Sequence, residues 1–293
     1  MKHMKQHALF LVNRQARRGA ENIELAAQTL RRSGFELVEV PTENPSQLSE
    51  VIRAHERSVD LVIVGGGDGT LNAAIGGLVD TQLPLGILPL GTANDLARTL
   101  GIPTNIDLAC ATIAGRGMKR IDLGWVNGHY FFNVASFGLS VAITDRLTQQ
   151  TKRRWGVMAY GVAAIQALWQ SRPFKVMIRS GDRVERVRTI QVTVGNGVYY
   201  GGGLAVADDA SIADERLDLY SLEIDHFWRW INLLPAMYRG RHHLYPYVHA
   251  QQGQEFFIDC NRSLSINTDG EIKTKTPGHF KVISKAISVL VPE

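Results

Sequence analysis

Three short apolar runs, "ALFLVN" (8–13), "DLVIVGGG" (60–67) and "LPLGILPL" (83–90), limit what this chain can fold into more than any other feature. None alternates polar with apolar residues. Uninterrupted runs of this length mark strands buried on both faces, as in a parallel sheet covered by helices. Helical patterns separate them. "ENIELAAQTLRRSG" puts Ile23, Ala26, Ala27 and Leu30 on one face, with Gly34 as a stop. "FELVEV" reads as a further strand. "NPSQLSEVIRAHE" carries an apolar stripe of Leu48, Val51 and Ile52, with Ser46 as the expected N-cap. "TLNAAIGGLVD" and "TANDLARTLG" read as two more helices. Strand and helix alternating at this spacing predict a Rossmann-like three-layer α/β domain.

The rhythm changes near residue 120. Asn127-Gly128 sits between two strand-like runs, a hairpin signal. Four later stretches, beginning at Phe174, Arg216, Gln254 and His279, are rich in β-formers and broken by turn residues. Helices are expected at about 155–170 and 225–239. The predicted division is 1–122, a nucleotide-binding α/β domain that the C-terminal tail could complete, and 123–293, mostly antiparallel and β-rich, the two packed around a cleft. The 293 residues are 45% hydrophobic and 20% charged, enough for a sizeable core. The net charge of +4 suits anionic ligands or lipid surfaces, and equally a merely solubilising exterior. Cys110 and Cys260 are too far apart in sequence for a C-x-x-C site, and two cysteines make no disulfide framework. The N-terminal stretch lacks the pattern of a secretory signal, so a cytoplasmic location is expected. The apolar part of Trp155–Ser171 is shorter than the roughly 20 residues of a membrane span.

"GGGDGTLNAA" (65–74) follows the second buried run. Glycines there let backbone approach a ligand, and a helix start supplies free N–H groups aimed at the same place, which makes an anion site. The stretch lacks a P-loop Lys, and Thr70 occupies the place of the third glycine of a dinucleotide fingerprint. A carboxylate, Asp68, beside phosphate oxygens makes sense if a divalent cation lies between them. The competing reading is a tight turn with Asp68 as a helix cap. "GILPLGTANDLAR" (86–98) repeats the strand–glycine–helix order and adds the Thr92 hydroxyl and the Asp95 carboxylate.

Together these two stretches closely resemble the diacylglycerol kinase catalytic-domain family, above all its bacterial soluble lipid kinases. "VGNGVYYGGG" (194–203), "DASIADERLDL" (209–219) and "INTDGE" (266–271) are similar to further family segments, so the resemblance spans almost the whole chain. It implies an NAD kinase/phosphofructokinase-like α/β domain with a β-sandwich domain, an active site between the lobes, ATP and Mg2+, and a lipid hydroxyl as acceptor. Asn13, Arg14, Gln15, Ala16 and Arg17 match the family's first nucleotide loop, although "NRQAR" stands where relatives often have Asn-Pro-x-Ser-Gly. Thr42 matches another nucleotide contact. Gly66, Gly67, Asp68, Gly69, Thr70, Leu71, Asn72 and Ala73 match the phosphate loop, and Thr92 a further contact. Asp68, Asp95 and Asp122 look like the acids that organise metal-bound water. Asp269 and Glu271 look like the general-base region, with Glu271 favoured and Asp269 the alternative. A peripheral metal would use the Asp214 carboxylate with the carbonyls of Ser211 and Arg216. Here Asp214-Glu215 replaces the usual Asp-Gly, and Asp208 the usual proline.

Lipid contact would involve "TKRRWGVMAY" (151–160) and "DHFWRWINLLPAMYRGRHH" (225–243), where Arg and Lys flank aromatic residues; core helices with basic flanks would look the same. The expected partner is a lipid presented at a membrane surface, with transient attachment to its inner face. No nucleic acid is expected, and a homodimer stays open. His242, His243 and His249 read as surface residues. Two rival functions share the GGDGT element: an NAD kinase, and a nucleotide sensor that catalyses nothing.

Overall fold

The computed structural model describes residues 6–12, 19–40, 44–141, 172–224 and 227–292. The chain divides into two compact units. One comprises Met1–Leu123, Gly201–Gly203 and Ile283–Glu293; the other comprises Gly124–Tyr200 and Leu204–Val282.

The first unit carries a parallel sheet in the order β2 (Phe35–Glu39), β1 (Gln6–Val12), β3 (Leu61–Gly66), β4 (Leu85–Pro89). Beyond β4, the end of the last strand, β18 (Gly278–Leu290), pairs in parallel, Val289 with Leu85. Every residue of β3 and β4 is buried, as their unbroken apolar runs require. Helices α1 (Gly19–Arg32), α2 (Leu48–His55), α3 (Asp68–Thr81), α4 (Asp95–Thr99) and α5 (Ile106–Gly115) join the strands. Within this set α1 packs on α5 and α2 on α3. Of the face the spacing predicts for α1, Ala26, Ala27 and Leu30 are buried and Ile23 is half-buried. Fully burying side chains such as Leu9, Ile63 and Leu88 contributes about 1.5–3 kcal/mol each to folding.

Two helix starts differ from expectation. Before α2 the capping oxygen belongs to Asn44, which accepts from the Ser46 N–H and opens a 3-10 turn at Pro45–Gln47. Ser46 is therefore inside the turn and not the cap. Helix α3 begins at Asp68 and not near Thr70, with Gly67 at its cap position. Helix α5, passed over by the apolar-run reading, is capped by Asn105, whose side chain accepts from Leu108 N–H at 3.1 Å.

The second unit is antiparallel. Six strands run in the order β14 (Val248–Gly253), β13 (Leu217–Leu222), β10 (Gln191–Gly195), β7 (Val134–Gly138), β16 (Ser265–Thr268), β17 (Glu271–Lys275), and the short strands β11 (Tyr199–Tyr200) and β12 (Leu204–Ala205) pair with each other. The first part of β18 pairs with β15 (Glu255–Cys260), which pairs with β8 (Phe174–Ser180), which pairs with β9 (Arg183–Thr189). Phe137, Val192, Val194 and Leu219 from the six-stranded sheet meet Phe174, Ile178, Phe256, Ile258 and Phe280 in one core, the arrangement of a β-sandwich. Strand β5 (Met118–Val126) turns at Asn127-Gly128 into β6 (His129–Phe131), both turn residues having positive φ, as the Asn-Gly signal predicts. Helix α6 (Phe227–Tyr238) buries Leu233 and Met237 beside Tyr220, Leu222 and Val248. The other expected helix, 155–170, lies outside the described residues. Among the described residues no helix is long and apolar enough to cross a membrane.

Candidate active site

The first unit holds two glycine turns. Strand β3 ends at Gly65-Gly66, and Gly67 leads in extended conformation into α3. The first intrahelical donors are Thr70 N–H (2.9 Å) and Leu71 N–H (3.1 Å), both to the Gly67 carbonyl. The N–H groups of Asp68 and Gly69 lie ahead of them, at the positive end of the helix. The second turn follows β4. Gly91 N–H donates to Asn94 Oδ1 at 2.9 Å, and Asn94 Nδ2 donates back to the Gly91 carbonyl at 3.0 Å. Asn94 takes the left-handed region, φ 50°, which Asn tolerates better than most residues.

These turns touch backbone to backbone. A Cβ added to Gly91 would lie 2.5 Å from Gly67 Cα. Leu90 N–H also donates to the Gly66 carbonyl at 2.9 Å. The glycines thus have a packing reason beside any approach to phosphate. Asp68 joins the turns a second time: its Oδ1 accepts Leu96 N–H at 3.0 Å, tying the start of α3 to α4. Asp95, 5% exposed, accepts Gly202 N–H at 2.9 Å. Asp122, on β5 and 1% exposed, accepts Lys285 N–H of β18 at 2.7 Å. So Asp68 and Asp95 are neighbours through α4, while Asp122 engages β18. Each spends an oxygen on a backbone donor, so each is also a structural tie.

Around these acids the remaining expected residues differ in kind. Thr92 and Gly69 are exposed, and Gly67, Asn72 and Ala73 are half-buried. Gly66, Thr70 and Leu71 are buried, so Leu71 is a core side chain that can offer a ligand only its backbone. Asn13, Arg14, Gln15, Ala16, Arg17 and Thr42 lie outside the described residues, as does the basic stretch at 151–160. Among the described residues, no group of three or more His, Cys, Asp or Glu is arranged to hold a metal ion directly. The donor chemistry of Asp68, Asp95 and Asp122, hard carboxylate oxygen, still suits Mg2+ held through water.

The second unit holds the Asp-Gly-Glu turn between β16 and β17. Asp269 and Gly270 both have positive φ, 47° and 97°. The Asp269 carboxylate accepts three backbone N–H groups: Phe132 at 2.7 Å, Asn133 at 2.9 Å and Val134 at 3.0 Å. Asp269 N–H returns a bond to the Val134 carbonyl at 2.9 Å, and Asn267 Oδ1 accepts Gly270 N–H at 2.8 Å. The sequence reading missed the Phe132–Val134 side of this clamp, and Asn196, whose Nδ2 donates to the Phe132 carbonyl at 2.8 Å. The available signals were lone Asn residues inside apolar runs, "FFNVAS" and "TVGNG". Glu271 begins β17, with its side chain 52% exposed and paired with Lys273 Nζ at 2.5 Å.

The loop expected to hold a peripheral metal contains a cation of its own. Arg216 Nε lies 2.9 Å from Asp214 Oδ2, and Arg216 Nη2 lies 2.9 Å from Asp209 Oδ2. Ser211 Oγ accepts Ala213 N–H at 3.4 Å. Gln252 donates to Asp209 and, at 2.8 Å, to Asp218. Burial pushes the Asp218 carboxyl up to about 6, against the lowering effect of Gln252 and Arg216. A divalent cation on Asp214 would meet the guanidinium charge beside the same carboxylate.

One expectation for the histidines is corrected. His242 is 1% exposed and packs edge-on against Tyr220, ring centroids 4.4 Å apart, and burial lowers its pKa to about 4. His243 is exposed, and half-buried His249 pairs with Glu185 at 2.7 Å.

Known proteins carry the same construction. The diacylglycerol kinase catalytic domain matches residues 7–126, and the YegS C-terminal NAD kinase beta sandwich-like domain matches residues 133–291. The chain is 32% identical over 242 residues to a diacylglycerol kinase of Bacillus subtilis (strain 168), covering 81% of this chain and 79% of that protein. It is 30% identical over 278 residues to a diacylglycerol kinase of Mycobacterium tuberculosis (strain ATCC 25618 / H37Rv), covering 91% and 88%. A crystal structure of a diacylglycerol kinase from Bacillus anthracis str. Sterne superposes with a TM-score of 0.78 at 22% identity, covering 98% of this chain and 97% of that one, a likeness of fold. With both domains matched and relatives aligned over most of their length at this identity, the chain belongs to the diacylglycerol kinase family and is a lipid kinase.

Proposed function

We propose that this lipid kinase uses ATP and Mg2+ to phosphorylate the hydroxyl of diacylglycerol or a related glycerolipid, giving a phosphatidic-acid-type product. The observation that carries the nucleotide half is the pair of abutting glycine turns. They bring the free N–H end of α3 and the carboxylates of Asp68 and Asp95 into one region of the first unit. Backbone amides of Gly67, Asp68 and Gly69 receive phosphate oxygens, and Thr92 adds a hydroxyl. Asn13–Arg17 and Thr42 hold the rest of the nucleotide. Mg2+, when bound, neutralises phosphate charge and polarises the transferring group. Asp68, Asp95 and Asp122 orient its water.

Glu271 accepts the proton of the acceptor hydroxyl as the oxygen–phosphorus bond forms and the bond from the γ-phosphorus to the bridging β–γ oxygen breaks. What supports Glu271 over Asp269 is their different employment: three backbone donors occupy Asp269, whereas Glu271 is half-exposed beside a mobile-stemmed lysine. Asp269 then positions the turn that presents Glu271. The lipid is met at the inner face of a membrane, where the enzyme attaches transiently. Incubation with γ-labelled ATP, Mg2+ and a mixed lipid extract tests the whole reading. Labelled phosphatidic acid is expected, lost with Glu271→Gln. Label transferred to added NAD would favour the rival kinase, and no transfer to any acceptor would favour the sensor.

A further inference from the structure

The acidic loop after the glycine triplet presents an electrostatic problem. Asp209, Asp214 and Asp218 stand within one short stretch, and Gln252, which bonds to two of them, carries no charge. Like charges so close repel, and partial burial strengthens the repulsion. Arg216 is the cation the structure supplies. Its Nε lies 2.9 Å from Asp214 Oδ2 as an ion pair without a hydrogen bond, and its Nη2 donates to the carboxylate and, at 3.3 Å, to the carbonyl of Asp209. Glu215, between Asp214 and Arg216, takes the left-handed region at φ 61°. A glycine is comfortable there and glutamate is not, so the bend is held against its own preference. A guanidinium suits the task because it can hydrogen-bond one carboxylate while its charge lies beside a second, and it stays charged at any working pH.

We propose that Arg216 is the built-in cation of the 209–218 loop and takes over the work of a divalent metal there. The loop then keeps its shape whether or not Mg2+ is present, and the metal requirement of the protein resides with the nucleotide. The charge of Arg216, rather than its bulk, is what matters. A shorter cation keeps part of the effect, and an uncharged side chain of similar length keeps none.

The test uses the full-length protein without nucleotide, melted in EDTA and again with Mg2+ or Ca2+. Wild type should melt at the same temperature in both. Arg216→Met should melt about 3 °C or more lower in EDTA, Ca2+ should restore much of the loss, and Arg216→Lys should fall between. Restoration should vanish in Arg216→Met/Asp214→Asn. Three results would overturn the proposal: a wild-type melting point raised by cation and no longer raised in Asp214→Asn; Met and Lys variants equally destabilised with no recovery; or Arg216→Met melting with wild type. If Arg216→Met does not fold, uptake of Mn2+ by wild type and Asp214→Asn decides. Equal uptake supports the built-in cation, and tighter uptake by wild type overturns it.

Discussion

Replacing Asp269 by Asn separates the two roles that its turn could play. Its Oδ1 accepts from Asn133 and Val134, and its Oδ2 accepts from Phe132. Those three donors belong to residues that are at most 7% exposed. Asn tolerates the φ of 47° at this position and can keep one carbonyl oxygen on two donors. Its NH2 must then point at the third N–H. One charge-assisted bond is lost and one buried donor is left without an acceptor, a cost of about 2–4 kcal/mol. For a protein of this size that is a fall in melting temperature of roughly 4–12 °C. Thermal unfolding followed by circular dichroism reads it directly. Glu271→Gln, at a half-exposed position, should leave the melting temperature nearly unchanged and lower kcat by about 10²–10⁴-fold. The pH dependence of kcat/KM should survive in whatever activity Asp269→Asn retains and flatten in Glu271→Gln. An Asp269→Asn enzyme with wild-type stability, no turnover and a flattened profile would refute this assignment and make Asp269 the proton acceptor.

Gly91→Ala should force the two glycine turns apart, because its Cβ would meet Gly67 Cα at 2.5 Å; a loss of about 1–3 kcal/mol and a raised KM for ATP are expected in urea unfolding and steady-state kinetics. His242, with a pKa lowered to about 4 in the fold, contributes stability present above pH 6.5 and lost as pH falls toward 4, about 3 kcal/mol at most. Asp218, raised to about 6, acts in the opposite sense: its contribution is full below pH 3.8 and disappears as pH rises through 6. Denaturant titrations of His242→Phe and Asp218→Asn from pH 4 to 7 should therefore change the slope of stability against pH with opposite signs. Burial pushes the thiols of Cys110 and Cys260 up to about 11, so both should react slowly with a thiol reagent at pH 7 in the native protein and quickly once it is unfolded.

The centre of the parallel sheet was legible because β3 and β4 are buried on both faces, and such runs have no polar residues to confuse the pattern: they appear where "DLVIVGGG" and "LPLGILPL" stand. The Asn127-Gly128 hairpin was legible for a local reason, the demand for positive φ at both positions. What escaped was tertiary. Ser46 and Asn44 are both good caps by residue type, and only the 3-10 turn at Pro45 decides between them. His242 reads as polar and exposed, yet the ring of Tyr220 takes it into the core. The residues matched to the phosphate loop gave no hint that Gly67 and Gly91, 24 positions apart, share one contact.

That contact bears on how the acids should be understood. A carboxylate placed only to organise water would keep its oxygens for solvent. Asp68, Asp95 and Asp122 each accept a backbone N–H from a distant segment, at Leu96, Gly202 and Lys285. One backbone donor on each carboxylate restricts its orientation, which lowers the ordering entropy that a ligand contact there would cost. Substitution therefore affects two quantities at once. Asp95→Asn should lose stability, because an amide accepts the Gly202 N–H less strongly than a charged oxygen does, and should also lose turnover. The two losses can be told apart. Raising the salt or adding a stabilising osmolyte should recover the melting temperature while the rate stays low. A variant whose rate returned in step with its stability would show that Asp95 serves only to hold the chain.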